Sequence, residues 1–97
     1  MRDYELLYII NPELGEEQLA AVIEKFNGIL TKEGAEVTGV DEWGKRKLAY
    51  EIDKKYREGF YVLVKFTGPS TAVDEADRLL KIDENVLRHM ITKAFEK

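Results

Sequence analysis

Between Glu16 and Glu33, the apolar residues Leu19, Val22, Ile23, Phe26 and Leu30 fall at spacings of three and four. Residues so spaced share one stripe of a helix, and a helix with one apolar stripe must bury it against something else. A second stripe, Ala72, Val73, Ala76, Leu79 and Leu80, lies in the second half of the chain. Two one-sided helices need a common partner layer, and the segments around them supply it. Asp3 to Ile10 and Phe60 to Thr67 are rich in Tyr, Phe, Val, Ile and Leu, the composition of strands.

Local signals bound the elements. Asn11-Pro12 closes the first strand. Glu16 and Glu17 suit the positive end of the first helix, Lys32 and Gly34 suit its stop, and Gly15 is its only N-cap candidate. A long extended segment follows over residues 35–52, with bulges or bends expected at Gly39 and Gly44. The string "DKKYREG" predicts a turn before the third strand, and "GPST" ends that strand. Thr71 with Asp74 forms a capping-box variant for the second helix, and residues 86–95 make the last strand. The order is strand, helix, strand, strand, helix, strand. Such a duplicated unit predicts an α+β fold of the split β-α-β or ferredoxin-like type, with four antiparallel strands and both helices on one face. At 97 residues, 44% of them hydrophobic, the chain suffices for one domain spanning 1–97.

That architecture leaves one sheet face bare. Alternation puts Leu6, Tyr8 and Ile10 on one side of the first strand and Glu5, Leu7 and Ile9 on the other. On the third strand it separates Phe60, Val62, Val64 and Phe66 from Tyr61, Leu63 and Lys65. A charge is costly in a core, so the sets holding Glu5 and Lys65 face outward. Leu7, Ile9, Tyr61 and Leu63 then form an exposed apolar patch of the kind that meets a partner.

Charge is distributed unevenly. Residues 1–42 hold three Lys or Arg against ten Asp or Glu, residues 43–57 hold six against two, and residues 58–97 hold six against seven. A net acidic protein therefore gathers Lys45, Arg46, Lys47, Lys54, Lys55 and Arg57 around Trp43, Tyr50 and Tyr56. Fields act over a Debye length of about 8 Å, so such a patch can hold phosphates despite the acidic remainder. Edge strands also carry Lys to discourage pairing with other sheets, but six cations and a protruding hairpin exceed that need. A basic finger with adjacent rings suits folded RNA.

Other chemistries find little support. The chain has no Cys and one His, so no thiolate site and no zinc set are expected, nor any cofactor or small-molecule substrate. An acylphosphatase-like site would need a loop of amide donors with an Arg, whereas "NPELGEEQ" carries carboxylates there. The pairs Asp41-Glu42 and Asp74-Glu75 read as solvated charge, and His89 could face the core, the RNA or solvent. No run is long enough for a membrane span, so no membrane partner and a cytoplasmic setting are expected. "LYIIN" and "GFYVLVKF" resemble the two sheet motifs of the RNA-recognition-motif family. The second departs from the pattern at Glu58 and Val62, and the first would require Tyr8 to face outward.

A fuller resemblance covers the whole chain. "MRDYELLYIINP", "WGKRKLAYEI", "GFYVL" and "LRHM" closely resemble the bacterial small-subunit ribosomal protein six family. The resemblance implies a ferredoxin-like, non-catalytic protein that binds the central domain of small-subunit ribosomal RNA, paired with small-subunit ribosomal protein eighteen. By position it implies RNA contacts at Arg2, Lys45, Arg46, Lys47, Tyr50, Lys54 and Arg88. Tyr61 and Leu63 of the bare face are where the protein partner is expected. Two departures stand out: the chain ends at Lys97 without an acidic tail, and Glu51 follows the Leu-Ala-Tyr string where some relatives have Pro.

Overall fold

The strand–helix–strand unit occurs twice, as β1 (Arg2–Ile10), α1 (Glu16–Lys32), β2 (Glu36–Ile52), β3 (Tyr56–Gly68), α2 (Ser70–Ile82) and β4 (Val86–Lys93). The computed structural model describes residues 2–52 and 56–93, with backbone alone for 47–52, 56 and 57. All pairings are antiparallel, in the order β2-β3-β1-β4, so β2 is an edge strand and β1 and β3 are central. This is the predicted ferredoxin-like topology.

The core lies on one face of the sheet. Leu6, Tyr8, Ile10, Val62, Val64 and Phe66 point there and meet the stripes of both helices at Leu19, Val22, Ile23, Phe26, Leu30, Ala72, Ala76 and Leu80. The period-two and helical patterns thus converge on one cluster. Phe26 is fully buried, with its ring 5.6 Å from that of Tyr8. The Tyr8 hydroxyl is buried with no hydrogen-bond partner among the described residues. Burial, and then the nearby charge of Glu42, push its pKa well up. A ring sealed in this way cannot stack on a base, which removes the basis of the RNA-recognition-motif reading.

The ends of the elements correct several expectations. Helix α1 stops as predicted, with the amides of Glu33, Gly34 and Ala35 bonded to Ile29, Thr31 and Leu30. At its start the Gln18 side chain accepts from the Gly15 amide at 3.1 Å, an interaction missed in the sequence. Helix α2 begins at Ser70 behind Pro69, with no side-chain cap, so Thr71 and Asp74 lie inside the helix and form no capping box. The Pro fixes the entry, and the helix gains its stability from the buried Ala72, Ala76 and Leu80. Strand β3 starts at Tyr56 rather than Phe60, because pairing with β2 continues through most of the expected turn. Gly68, at the end of β3, allows a close approach: a Cβ there would sit 2.6 Å from the Ala35 Cβ and 2.9 Å from its Cα.

His89 lies on the helix side of β4, where its Nε2 is 2.7 Å from Asp77 of α2. Asp77 also pairs with Lys81 at 3.0 Å. The hydrogen bond to His89, then that to Lys81, hold the Asp77 carboxyl below its usual pKa. A carboxyl whose pKa is depressed on folding contributes stability above its unfolded pKa, and this is lost as pH falls through the folded value. The loss therefore sits on the acid side, below roughly pH 4. We expect His89→Ala to reduce the fall in urea-unfolding free energy between pH 5 and pH 3. An unchanged fall would show that the pair contributes nothing.

Candidate nucleic-acid interface

The pairing of β1 with β3 ends at Ile10 and Phe60, whereas β2 and β3 pair on to Ile52 and Tyr56. Lys45 therefore lies in the last row that β2 and β3 share with β1, and Arg46 and Lys47 lie on a two-stranded ribbon reaching past the sheet. Lys45, Arg46 and Lys47 pair with Phe60, Gly59 and Glu58. The register slips between Val37 and Gly39 and between Glu42 and Gly44, so both expected irregularities occur and Thr38 and Trp43 are the extra residues. Gly44 takes a φ of +81°, which Gly adopts without the steric cost that a Cβ brings.

The second slip inverts the facing of the residues from Gly44 to Lys47, up to the next slip between Lys47 and Ile52, because side chains along a strand alternate and one residue has been added. Arg46 pairs with Gly59 and so falls on the bare face with Tyr61, while Lys45 pairs with Phe60 and falls on the helix side. The three neighbouring cations do not share one surface. Instead, Trp43 lies on Tyr61, with ring centroids 6.1 Å apart and planes 9° from parallel. The Arg46 guanidinium carbon lies 5.2 Å from the Trp43 ring.

The bare face also differs from expectation in composition. Leu7, Tyr61 and Leu63 are half-buried, as a patch requires, but Ile9 is only 8% exposed. Its register neighbours, Tyr61 and Arg88, flank it on both sides. Met90, opposite Leu7 and 57% exposed, extends the patch across β4, and Trp43, 36% exposed, extends it toward β2. The sequence reading placed neither on this face. Alternation along β4 would have found Met90, whereas Trp43 reaches this face through the bulge.

The remaining predicted residues divide by place. Arg88 pairs with Ile9 on β4, so it shares the bare face with Arg46 and stands across the sheet from it. Arg2 pairs with Gly68 at the opposite end of the sheet, about 23 Å along β1 from the Ile9 level, and is not brought together with the ribbon. Lys47 and Tyr50 lie on β2. Lys54 lies outside the described residues. The outward positions near Arg2 carry Asp3 and Glu5, so this end of the bare face is acidic while the ribbon end carries Arg46 and Arg88.

One carboxylate of each pair considered for catalysis is engaged otherwise. Asp41 accepts from Trp43 Nε1 at 3.1 Å, and Glu75 pairs with Arg78. His89, the one histidine, is tied to Asp77, which belongs to neither pair.

Comparison with known proteins bears on the family and the fold. The family described as Ribosomal protein S6 matches residues 3–93. Small ribosomal subunit protein bS6 of Moorella thermoacetica is 47% identical over 97 residues, covering 100% of this chain and 98% of the relative. The bS6 protein of Desulforamulus reducens is 50% identical over 96 residues, covering 99% and 100%. The crystal structure of 30S ribosomal protein S6 from Thermotoga maritima superposes with a TM-score of 0.90 at 28% identity, covering 97% of this chain and 88% of that one. By fold, sequence and extent of match, this chain belongs to the ribosomal protein S6 family, a family of structural, non-enzymatic proteins.

Proposed function

We propose that the chain, acting as one RNA-binding domain over residues 1–97, binds the central domain of small-subunit ribosomal RNA together with small-subunit ribosomal protein eighteen. In this role it stabilises the folded RNA during assembly. As a family member it is a structural protein of the cytoplasmic ribosome. The observation that carries the reading is the pairing of β2 and β3 beyond the sheet, which runs a cationic string from the sheet's last row outward on an otherwise acidic body. Lys45, Arg46, Lys47, Tyr50 and Arg88 would meet RNA from that end, with Arg2 and Lys54 as further contacts. Tyr61 and Leu63, with Leu7 and Met90 beside them, would take the protein partner.

Apolar burial on that face contributes about 25 cal/mol per Å² before the cost of association is counted. A cationic surface this small binds RNA weakly alone, and a basic partner docked beside it enlarges the footprint. The test is binding to a central-domain RNA fragment across a salt series, with and without protein eighteen. Tight binding is expected only with the partner. If four or five phosphates are neutralised, log K should fall against log salt with a slope of roughly −3 to −4. Equal affinity for any unstructured strand, with or without the partner, would overturn the reading.

A further inference from the structure

On the bare face, Trp43 joins Tyr61 and Arg46, touching the ring of one and the guanidinium of the other. Trp43 and Arg46 are each held: Trp43 Nε1 donates to Asp41 Oδ2 at 3.1 Å, and Arg46 Nε donates to the Trp43 carbonyl oxygen at 3.5 Å. Tyr61 stands on central strand β3 between Gly44 and Ile9, at the edge of the apolar patch. The trio therefore joins two surfaces. One end lies in the face that meets protein, and the other is a cation at the root of the RNA-facing ribbon.

We infer that Trp43 is a positioning residue that couples partner binding to RNA binding, by transmitting burial of Tyr61 into the placement of the Arg46 guanidinium. This rests on the reading that Tyr61 meets the partner and Arg46 the RNA. A partner that covers Tyr61 excludes water from the neighbouring indole and restricts its ring. A cation–π contact strengthens as it is desolvated, so Arg46 is held more firmly over the indole. RNA then meets a guanidinium whose ordering cost has already been met, and affinity rises without a new contact. By linkage, RNA must strengthen partner binding by the same factor.

The experiment measures four affinities for the full chain: central-domain RNA with and without protein eighteen, and protein eighteen with and without that RNA. They are compared in the unaltered protein, Trp43→Ala and Trp43→Phe, with thermal melts confirming that each variant is folded. Trp43→Ala should cut the partner's enhancement of RNA affinity by about 3- to 10-fold, the scale of one aromatic stack and one exposed cation–π contact. RNA's enhancement of partner affinity should fall by the same factor; RNA alone should bind much as before, whereas the partner alone, which meets the patch that Trp43 extends, should bind more weakly. Trp43→Phe, which keeps a ring but loses the bond to Asp41, should restore most of the enhancement. An undiminished enhancement in Trp43→Ala would overturn this inference alone, whether or not the separate affinities drop. Absence of any enhancement in the unaltered protein would overturn it together with the co-binding function.

Discussion

Replacing Lys45, Arg46 and Lys47 together by Ala should weaken binding to the central-domain RNA by about 10- to 100-fold while leaving the fold intact. Each exposed ionic interaction is worth about 0.5–1 kcal/mol, and 1.4 kcal/mol is tenfold in affinity. The salt dependence should flatten as well, by about 0.7–0.9 in slope for each phosphate no longer neutralised. Stability should change by no more than about 1 kcal/mol, because Lys45 and Arg46 are exposed and stand outside the core cluster. Since Lys45 and Arg46 fall on opposite sides of the ribbon, they would reach different phosphates, and single substitutions should each contribute. Binding by titration and a thermal melt of the same samples settle it. A large loss of stability with unaltered RNA affinity would refute the assignment and leave the basic edge as protection against strand pairing.

Phe26→Ala should have the opposite profile, costing about 3–5 kcal/mol of stability. Phe26 is fully buried on α1, against Tyr8 of β1, within the cluster that joins both helices to the sheet. The sheet is held by its hydrogen bonds and α1 by its neighbours, so neither can collapse into the space left behind. Against a typical domain stability of about 5–15 kcal/mol, the loss takes a large share. Urea unfolding should show a lower midpoint with little change in slope, the mark of a changed stability rather than a changed transition. A loss under about 1 kcal/mol would mean that Phe26 does not fill the core between α1 and β1. RNA affinity, measured where the variant is still folded, should be nearly unaltered, because the ribbon stands beyond the sheet that Phe26 supports.

Much of the architecture was legible from residue types and their spacing. Leu19, Val22, Ile23, Phe26 and Leu30 named the buried face of α1 without error, and Leu6, Tyr8, Ile10, Val62, Val64 and Phe66 named the sheet face beneath it. These patterns are local expressions of one requirement, that apolar area leave water, so they survive in a linear string. The element ends were less legible. Thr71 and Asp74 resembled a cap, but the helix starts at Ser70 behind Pro69 and is held by the packing of Ala72, Ala76 and Leu80 rather than by a side-chain cap. "DKKYREG" resembled a turn, but pairing with β2 carried β3 back to Tyr56. In both places a tertiary interaction outweighed a weak local preference.

The candidate site divides along the same line. The sequence by itself determined the fold, the helix-covered face, the bare face and the concentration of charge at one segment, because each is a sum over many residues. It also carried the strings by which the family is recognised. Only the tertiary structure decided which cation faces where. One extra residue at Trp43 inverts the alternation, turns Arg46 to the bare face and Lys45 to the helix side, and brings the indole into contact with both Arg46 and Tyr61. The same register closes Ile9 between Tyr61 and Arg88 and leaves Met90 open. Side-chain facing in a sheet has a period of two, so a single inserted residue reverses it, and that insertion is defined only by the partner strand against which it is counted.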